Sequence, residues 1–369
     1  MNFWIVNLCL VFLLSAFFAG IVIPKILLIA FRRRLFDEPD ERKIHQCAVP
    51  RLGGIAFKPV MFFSIALLLG VNLTMGNMEI LAEVGNEVLP LDFGFCAIMV
   101  LYLVGMADDL IGIRYRAKFF IQILCSLMLI AGGIYFTDLH GVLWIHEIPN
   151  WFAYPFTVLV IVFIINAINL IDGIDGLASG LCSIALLFYG LTFYLLQEYI
   201  YAMLSFATLG VLVPFFYYNV FGNAERGRKI FMGDTGSLTI GMMLCFLSIK
   251  MVLCAPNEGL RIPNPMVLAF SPLLIPCLDV LRVYIHRVRS GKDPFLPDKN
   301  HIHHKLLAIG MQQRVAMITI ISASLLFTLC NILLSRHARV TLLLVADIAV
   351  WTIFNIWLTR KIRQTKKKL

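Results

Sequence analysis

Residues 3–31 read FWIVNLCLVFLLSAFFAGIVIPKILLIAF, carry one charge, Lys25, and end against Arg32-Arg33-Arg34. About 20 apolar residues cross the ~30 Å hydrocarbon core of a bilayer as a helix, which pairs every backbone N–H and C=O internally. No basic residues precede the run, and it is too long for a signal peptide, so it reads as a span. Similar windows follow at 52–74, 91–107, 119–136, 151–170, 177–196, 199–221, 236–254, 265–285, 315–335 and 340–359. The expectation is an all-α polytopic integral membrane protein of about eleven transmembrane helices, one membrane domain over residues 1–369.

Composition agrees. The chain is 60% hydrophobic with a mean hydropathy of +0.86, where a soluble domain stays near half apolar. The net charge of +9 would suit a nucleic acid, but topology accounts for it and no nucleic-acid partner is expected. Loops that alternate along the eleven spans hold 24 of the 31 basic residues, and the opposite set holds only Arg261, Arg336 and Arg339. Basic loops stay on the cytoplasmic side, so the N-terminus is expected outside and the C-terminus in the cytoplasm of a cell membrane. The loop Met75–Leu91, with Glu79, Glu83, Glu87 and no base, falls outside. Nine scattered cysteines form no C-x-x-C pair and read as small buried hydrophobes.

Five segments on the cytoplasmic side hold polar groups that burial cannot explain. Asp108-Asp109 closes the third span, followed by Arg114, Arg116 and Lys118. Adjacent carboxylates near a bilayer hold a cation or tune a proton, unless they simply pair with Arg114 and Arg116. Asn166, Asn169, Asp172 and Asp175 recur at i, i+3 across the end of the fifth span, with Gly173 and Gly176 between them. Four oxygen-bearing side chains in ten residues exceed what a polar, capped turn needs. Asn219, Arg226, Arg228 and Lys229 lead into Phe231-Met232-Gly233-Asp234-Thr235. Asp234 suits a hard divalent ion bound through few protein ligands, or else it or Thr235 caps the eighth span. His301, His303 and His304 lie between Lys299 and Lys305, which favours an anion cradle over zinc. Last comes Arg32 to Gly54, where beside Asp37 the basic residues Arg42, Lys43, His45 and Arg51 could steer an anionic head group.

In this order, Asp108-Asp109, Asn169-x-x-Asp172-x-x-Asp175, Phe231-Met-Gly-Asp234 and His301-x-His303-His304, the chain resembles the polyprenyl-phosphate N-acetylhexosamine-1-phosphate transferases. The likeness runs from about Asp37 to Gly310. It is closer to the WecA/TagO-type enzymes that start envelope polysaccharides than to the peptidoglycan translocases. The resemblance implies Mg2+, or Mn2+ in its place, on Asp234 with Asn169 assisting. It puts Asp108 and Asp109 beside the lipid phosphate and metal, and Asp172 and Asp175 at the nucleotide-sugar site. Lys118 would meet the diphosphate, His301, His303 and His304 would hold phosphates, and Asn219 and Phe231 would complete substrate binding. Gly112 stands where the translocases carry a lysine, so Lys118 acts alone or with Arg114 and Arg116. The substrates implied are a UDP-N-acetylhexosamine, UDP-GlcNAc first, and a polyprenyl phosphate, and a homodimer is compatible with the family.

Other classes stay open on the residues alone. An ion-coupled transporter would place its carboxylates at mid-span. An intramembrane aspartyl protease needs glycine where Phe231 stands, and the aspartate spacing of a CDP-alcohol phosphotransferase is not found.

Overall fold

Ten helices of at least 18 residues, each apolar enough to cross a bilayer, run through the described residues. The computed structural model describes residues 3–33, 35, 49–254, 264–291, 293 and 300–368, with backbone alone for 365–368. Arg34, Asp37, Arg42, Lys43, His45, Arg261 and Lys299, named above, lie outside them.

The chain runs α1 (Phe3–Arg33), α2 (Phe57–Thr74), α3 (Met78–Asn86), α4 (Val88–Ile111) and α5 (Tyr115–Ala131). A hairpin, β1 (Asp138–Val142) and β2 (Ile145–Glu147), precedes α6 (Asn150–Ile171), α7 (Leu177–Leu195), α8 (Tyr199–Val220) and α9 (Gly233–Leu253). Then come α10 (Pro265–Phe270), α11 (Leu274–Arg289), α12 (Ile302–Ala308), α13 (Gln313–Leu334) and α14 (Val340–Lys368). The predicted span 119–136 is α5, 17 residues long, which at 1.5 Å per residue covers about 25 Å. The expected short third span is a full 24-residue helix, α4, continuing through both aspartates. The hairpin departs from an all-helical reading, and α3 fills part of the loop from Met75 to Leu91.

Burial sorts the helices. α9 is apolar all round and 89% of its span is buried, the signature of a central helix. It packs against α4, α6 and α7. α1, α13 and α14 sit outside, with spans only 28% buried, and Leu13, Phe17, Leu326, Leu333 and Ile353 face outward. So continuous an apolar surface belongs in lipid. The ninth span is broken by a 3-10 turn at Ser271–Leu273, where Pro272 and Pro276 withhold backbone donors. At one end of the bundle Lys250 on α9 pairs with Glu87 at 2.8 Å and Glu198 at 3.7 Å. The Tyr201 hydroxyl also donates to Glu87. The start of α9 lies at the other end, beside the last turns of α4 and α6 and the first of α5.

Candidate active site

The first N–H groups of a helix have no intrahelical partner and need an acceptor. In α9 neither Asp234 nor Thr235 caps its own helix. Asp109, from the last turn of α4, accepts from the Asp234 and Thr235 N–H groups, both at 2.8 Å, and from the Thr235 hydroxyl at 2.5 Å. Gly233 makes the close crossing possible. It has φ +71°, and a Cβ there would lie 2.2 Å from the Arg51 carbonyl oxygen and 2.5 Å from Asp109 Oδ2. The incoming strand is stitched to residues 50–54. Phe231 N–H donates to Pro50 O, Gly53 N–H to Phe231 O and Gly54 N–H to Met232 O, each at 2.9 Å. Phe231, singled out as a substrate contact, is thus tied by its backbone with its ring half-buried.

Asp108 points elsewhere. Its Oδ2 accepts from Lys118 Nζ at 2.6 Å and its Oδ1 from the Ile113 N–H at 2.5 Å. The same ammonium pairs with Asp234 Oδ2. Asn169 donates to Asp234 Oδ1 at 2.9 Å and to the Ser237 hydroxyl at 2.8 Å. Asp108 and Asp234, from α4 and α9, therefore meet around one cation from α5, with Asn169 of α6 on the far side of Asp234. Arg114 and Arg116 are exposed and Arg116 donates to the Tyr115 hydroxyl, so Lys118 rather than these arginines partners Asp108. Gly112, φ +73°, ends α4 in a conformation that a lysine adopts only at a cost. Asn166, on the same helix as Asn169, donates to Gln122 on α5 at 2.7 Å instead.

The turn after α6 brings the remaining residues in. Asp175 pairs with Lys229. Asn219 accepts from the Gly176 N–H at 2.6 Å and donates to Ile230 O at 2.8 Å. Its amide, 5% exposed, braces the turn from beneath. Gly173 faces the histidines: a Cβ on it would lie 2.2 Å from His303 Nε2. His301 and His303 are buried with parallel rings, and His304 packs on His303 with ring centroids 4.2 Å apart. Burial first, then the neighbouring His304 and His301, pushes the His303 imidazole down to about 3. It is a neutral hydrogen-bonding group within the expected anion cradle.

Two residues that position this stretch went unrecognised in the sequence. Asp279, fully buried on α11, bonds His301 Nδ1 at 2.9 Å and accepts from the Ile302 N–H at 3.1 Å. Arg282 pairs with Asp279 at 2.8 Å and donates to the Asn300 carbonyl. A carboxylate and a guanidinium three residues apart inside an apolar window were the available signal.

Asp172 caps α6 beside these groups. Burial first, then Asp234 and Asp175, raises its carboxyl from 3.8 to about 7, with Arg51 pulling partly back. A carboxyl raised on folding binds its proton more tightly in the native state. The wild type should therefore lose stability as pH climbs from about 4 to about 7. Asp172→Asn is expected to flatten that slope and to unfold at a higher temperature than wild type near pH ~7.5 in metal-free buffer. Thermal unfolding across pH checks this, and an unchanged slope would count against it.

Among the described residues no three His, Cys, Asp or Glu side chains converge closely enough to cage an ion. Two carboxylates around one ammonium, with an amide on the second carboxylate, instead form an open, oxygen-rich corner. The description Glycosyl transferase family 4 matches residues 93–252, a stretch that includes Asp108, Lys118, Asn169 and Asp234. The chain is 32% identical over 331 residues to a probable undecaprenyl-phosphate N-acetylglucosaminyl 1-phosphate transferase of Bacillus subtilis (strain 168), covering 89% of this chain and 85% of that protein. It is 30% identical over 336 residues to the decaprenyl-phosphate N-acetylglucosaminephosphotransferase of Mycolicibacterium smegmatis, covering 85% and 79%. For the undecaprenyl-phosphate alpha-N-acetylglucosaminyl 1-phosphate transferase of Yersinia pestis the figures are 29% over 315 residues, 84% and 79%. Similarity over so much of the chain, on a bundle that gathers the aspartates at one end, makes this multi-pass membrane protein an enzyme of glycosyl transferase family 4.

Proposed function

We propose that the enzyme transfers an N-acetylhexosamine 1-phosphate from a UDP-sugar to a polyprenyl phosphate, releasing UMP and starting a lipid-linked envelope polysaccharide. The names of the relatives favour GlcNAc as the sugar. One observation carries the reading: carboxylates from α4 and α9 share the Lys118 ammonium, with the Asp172–Asp175 turn and His303 alongside. Phosphoryl transfer asks a protein for positioning and charge stabilisation rather than covalent chemistry, and this is such a site. The excess of basic residues, 24 against 3, supports a site on the cytoplasmic face, with the N-terminus outside.

The acceptor needs little activation. A phosphate monoester has its second pKa near ~6 and is already largely dianionic at neutral pH. Its oxygen attacks the β-phosphorus of the UDP-sugar, the bond from that phosphorus to the bridging oxygen breaks, and UMP leaves with the electron pair. Asp108, fixed by the Ile113 N–H and Lys118, positions the acceptor and takes any residual proton. Lys118 sits where the diphosphate oxygens gather charge. Asp175, held by Lys229, and Asp172 shape the nucleotide-sugar side. His301 and His304 with neutral His303 offer ring nitrogens to phosphate oxygens. Asp109 sets the geometry through the start of α9.

The donor set fits Mg2+, which binds hard oxygens and keeps waters and substrate phosphates in its shell, so two carboxylates suffice. Asp234 would hold it, with Asn169 assisting and the Asp108 carboxylate beside it, and it would neutralise the diphosphate charge; Mn2+ takes the same donors. The test is incubation of purified enzyme with polyprenyl phosphate, Mg2+ and a panel of UDP-sugars. UMP release is expected with a UDP-N-acetylhexosamine and lipid together, and no release with any donor would end the reading. A phospho-enzyme trapped with UDP-sugar alone would overturn direct displacement.

A further inference from the structure

Away from the aspartates, a groove of about 550 Å³ opens between α11 and α14. At the end of the bundle where α12 lies, Arg289, Arg360 and Arg363 line it, and deeper in, its walls are Leu281, Ile285 and Ile348. Those three apolar residues are exposed, so the groove opens sideways toward lipid. Among the described residues no carboxylate lines it. Arg289, Arg360 and Arg363 are exposed at the mouth of this groove, and clustered cations beside a lipid-facing apolar wall attract an anionic head group.

Two further features lie along the inner wall of the groove. Trp351, 5% exposed, and Arg282 both line the groove, and the buried donors Trp351 Nε1 and Arg282 Nε have no hydrogen-bond acceptor among the described residues. Buried indole and guanidinium N–H groups ordinarily find one. Lys305, also in the wall, donates to Asn355 Oδ1 at 3.1 Å and Thr359 Oγ1 at 3.2 Å. Burial, with Arg282 adding to it, pushes its ammonium down to about 8.

We propose that this groove binds one anionic phospholipid, its head-group phosphate among Arg289, Arg360 and Arg363 and an acyl chain along Leu281, Ile285 and Ile348. Basic pockets between membrane helices recognise anionic head groups in this way. A free phosphate would leave the apolar wall unused. The site also reaches the histidines, because Arg282 lines the groove while gripping Asp279 and the Asn300 carbonyl. An occupied groove therefore steadies His301, and this coupling, unlike the binding itself, rests on the function proposed above.

Native mass spectrometry of the full chain in neutral detergent tests the binding, with phosphatidylglycerol and phosphatidylcholine as probes. Wild type should retain one phosphatidylglycerol in preference to phosphatidylcholine. The triple variant R289Q/R360Q/R363Q should lose about 100-fold in affinity, and the single variant R363Q, in case the triple fails to fold, about fivefold. No preference in wild type, equal binding by the variants, or displacement of the lipid by inorganic phosphate alone would overturn the site. For the coupling, UMP release in phosphatidylcholine vesicles should be equal in wild type and triple variant, and added phosphatidylglycerol should raise it several-fold in wild type only. If the variant instead shows a raised KM for polyprenyl phosphate without phosphatidylglycerol, the groove serves the acceptor and the proposal falls. Absence of UMP release everywhere, with selective lipid binding intact, would indict the function and leave the site standing.

Discussion

Asp234→Asn should reduce UMP release by about 10³-fold while the bundle stays folded. Asp234 is the one carboxylate met by both the Lys118 ammonium and the Asn169 amide. It opens a helix that packs between α4, α6 and α7. Asparagine keeps its shape and removes one charge. Lys118 then keeps Asp108 at 2.6 Å as a counter-ion, so no buried cation is stranded. The loss should fall on turnover because the removed charge is the one proposed to hold the divalent ion against the diphosphate. Parallel measurement of UMP release and thermal unfolding decides it. Turnover within tenfold of wild type would remove Asp234 from the chemistry, and a collapse in melting temperature would make its role structural.

Asp109→Ala should behave differently. Its two oxygens satisfy three donors at the start of α9, two backbone N–H groups and the Thr235 hydroxyl. Deleting the acceptor strands all three in a crossing where Gly233 leaves no slack. At 1–3 kcal/mol for each unsatisfied buried donor, partly offset by water, the cost is about 3 kcal/mol. Activity should fall as well, because the first turn of α9 carries Asp234. The distinguishing result is a drop in melting temperature much larger than that of Asp234→Asn, with Asp109→Asn between them. Lost turnover at unchanged stability would instead put Asp109 among the reacting groups.

The contrast between these neighbours was not legible in the sequence. Adjacent residues on a helix point about 100° apart, so one aspartate of the pair meets α9 and the other α5. Which is which depends on helix packing. Asn166 and Asn169, expected on one face, likewise divide between Gln122 on α5 and Asp234 on α9. The membrane helices were legible, because twenty apolar residues in a row leave the backbone few alternatives. The hairpin was not. Its turn holds Leu143 and Trp144 at φ 53° and 61°, positions usually announced by Asn-Gly. The motifs identified the residues that gather at one end, yet Asp279 and Arg282, which hold the histidines in place, were hidden inside a window read only for its hydrophobicity.

Lys250 and Asp234 sit near opposite ends of α9, roughly 24 Å apart along its axis, and each is anchored to other helices. A helix tethered at both tips and enclosed along its length can neither slide nor rotate without breaking one anchor. The outer rods α1, α13 and α14, whose spans are only 28% buried, are freer to shift, with α9 as the fixed axle.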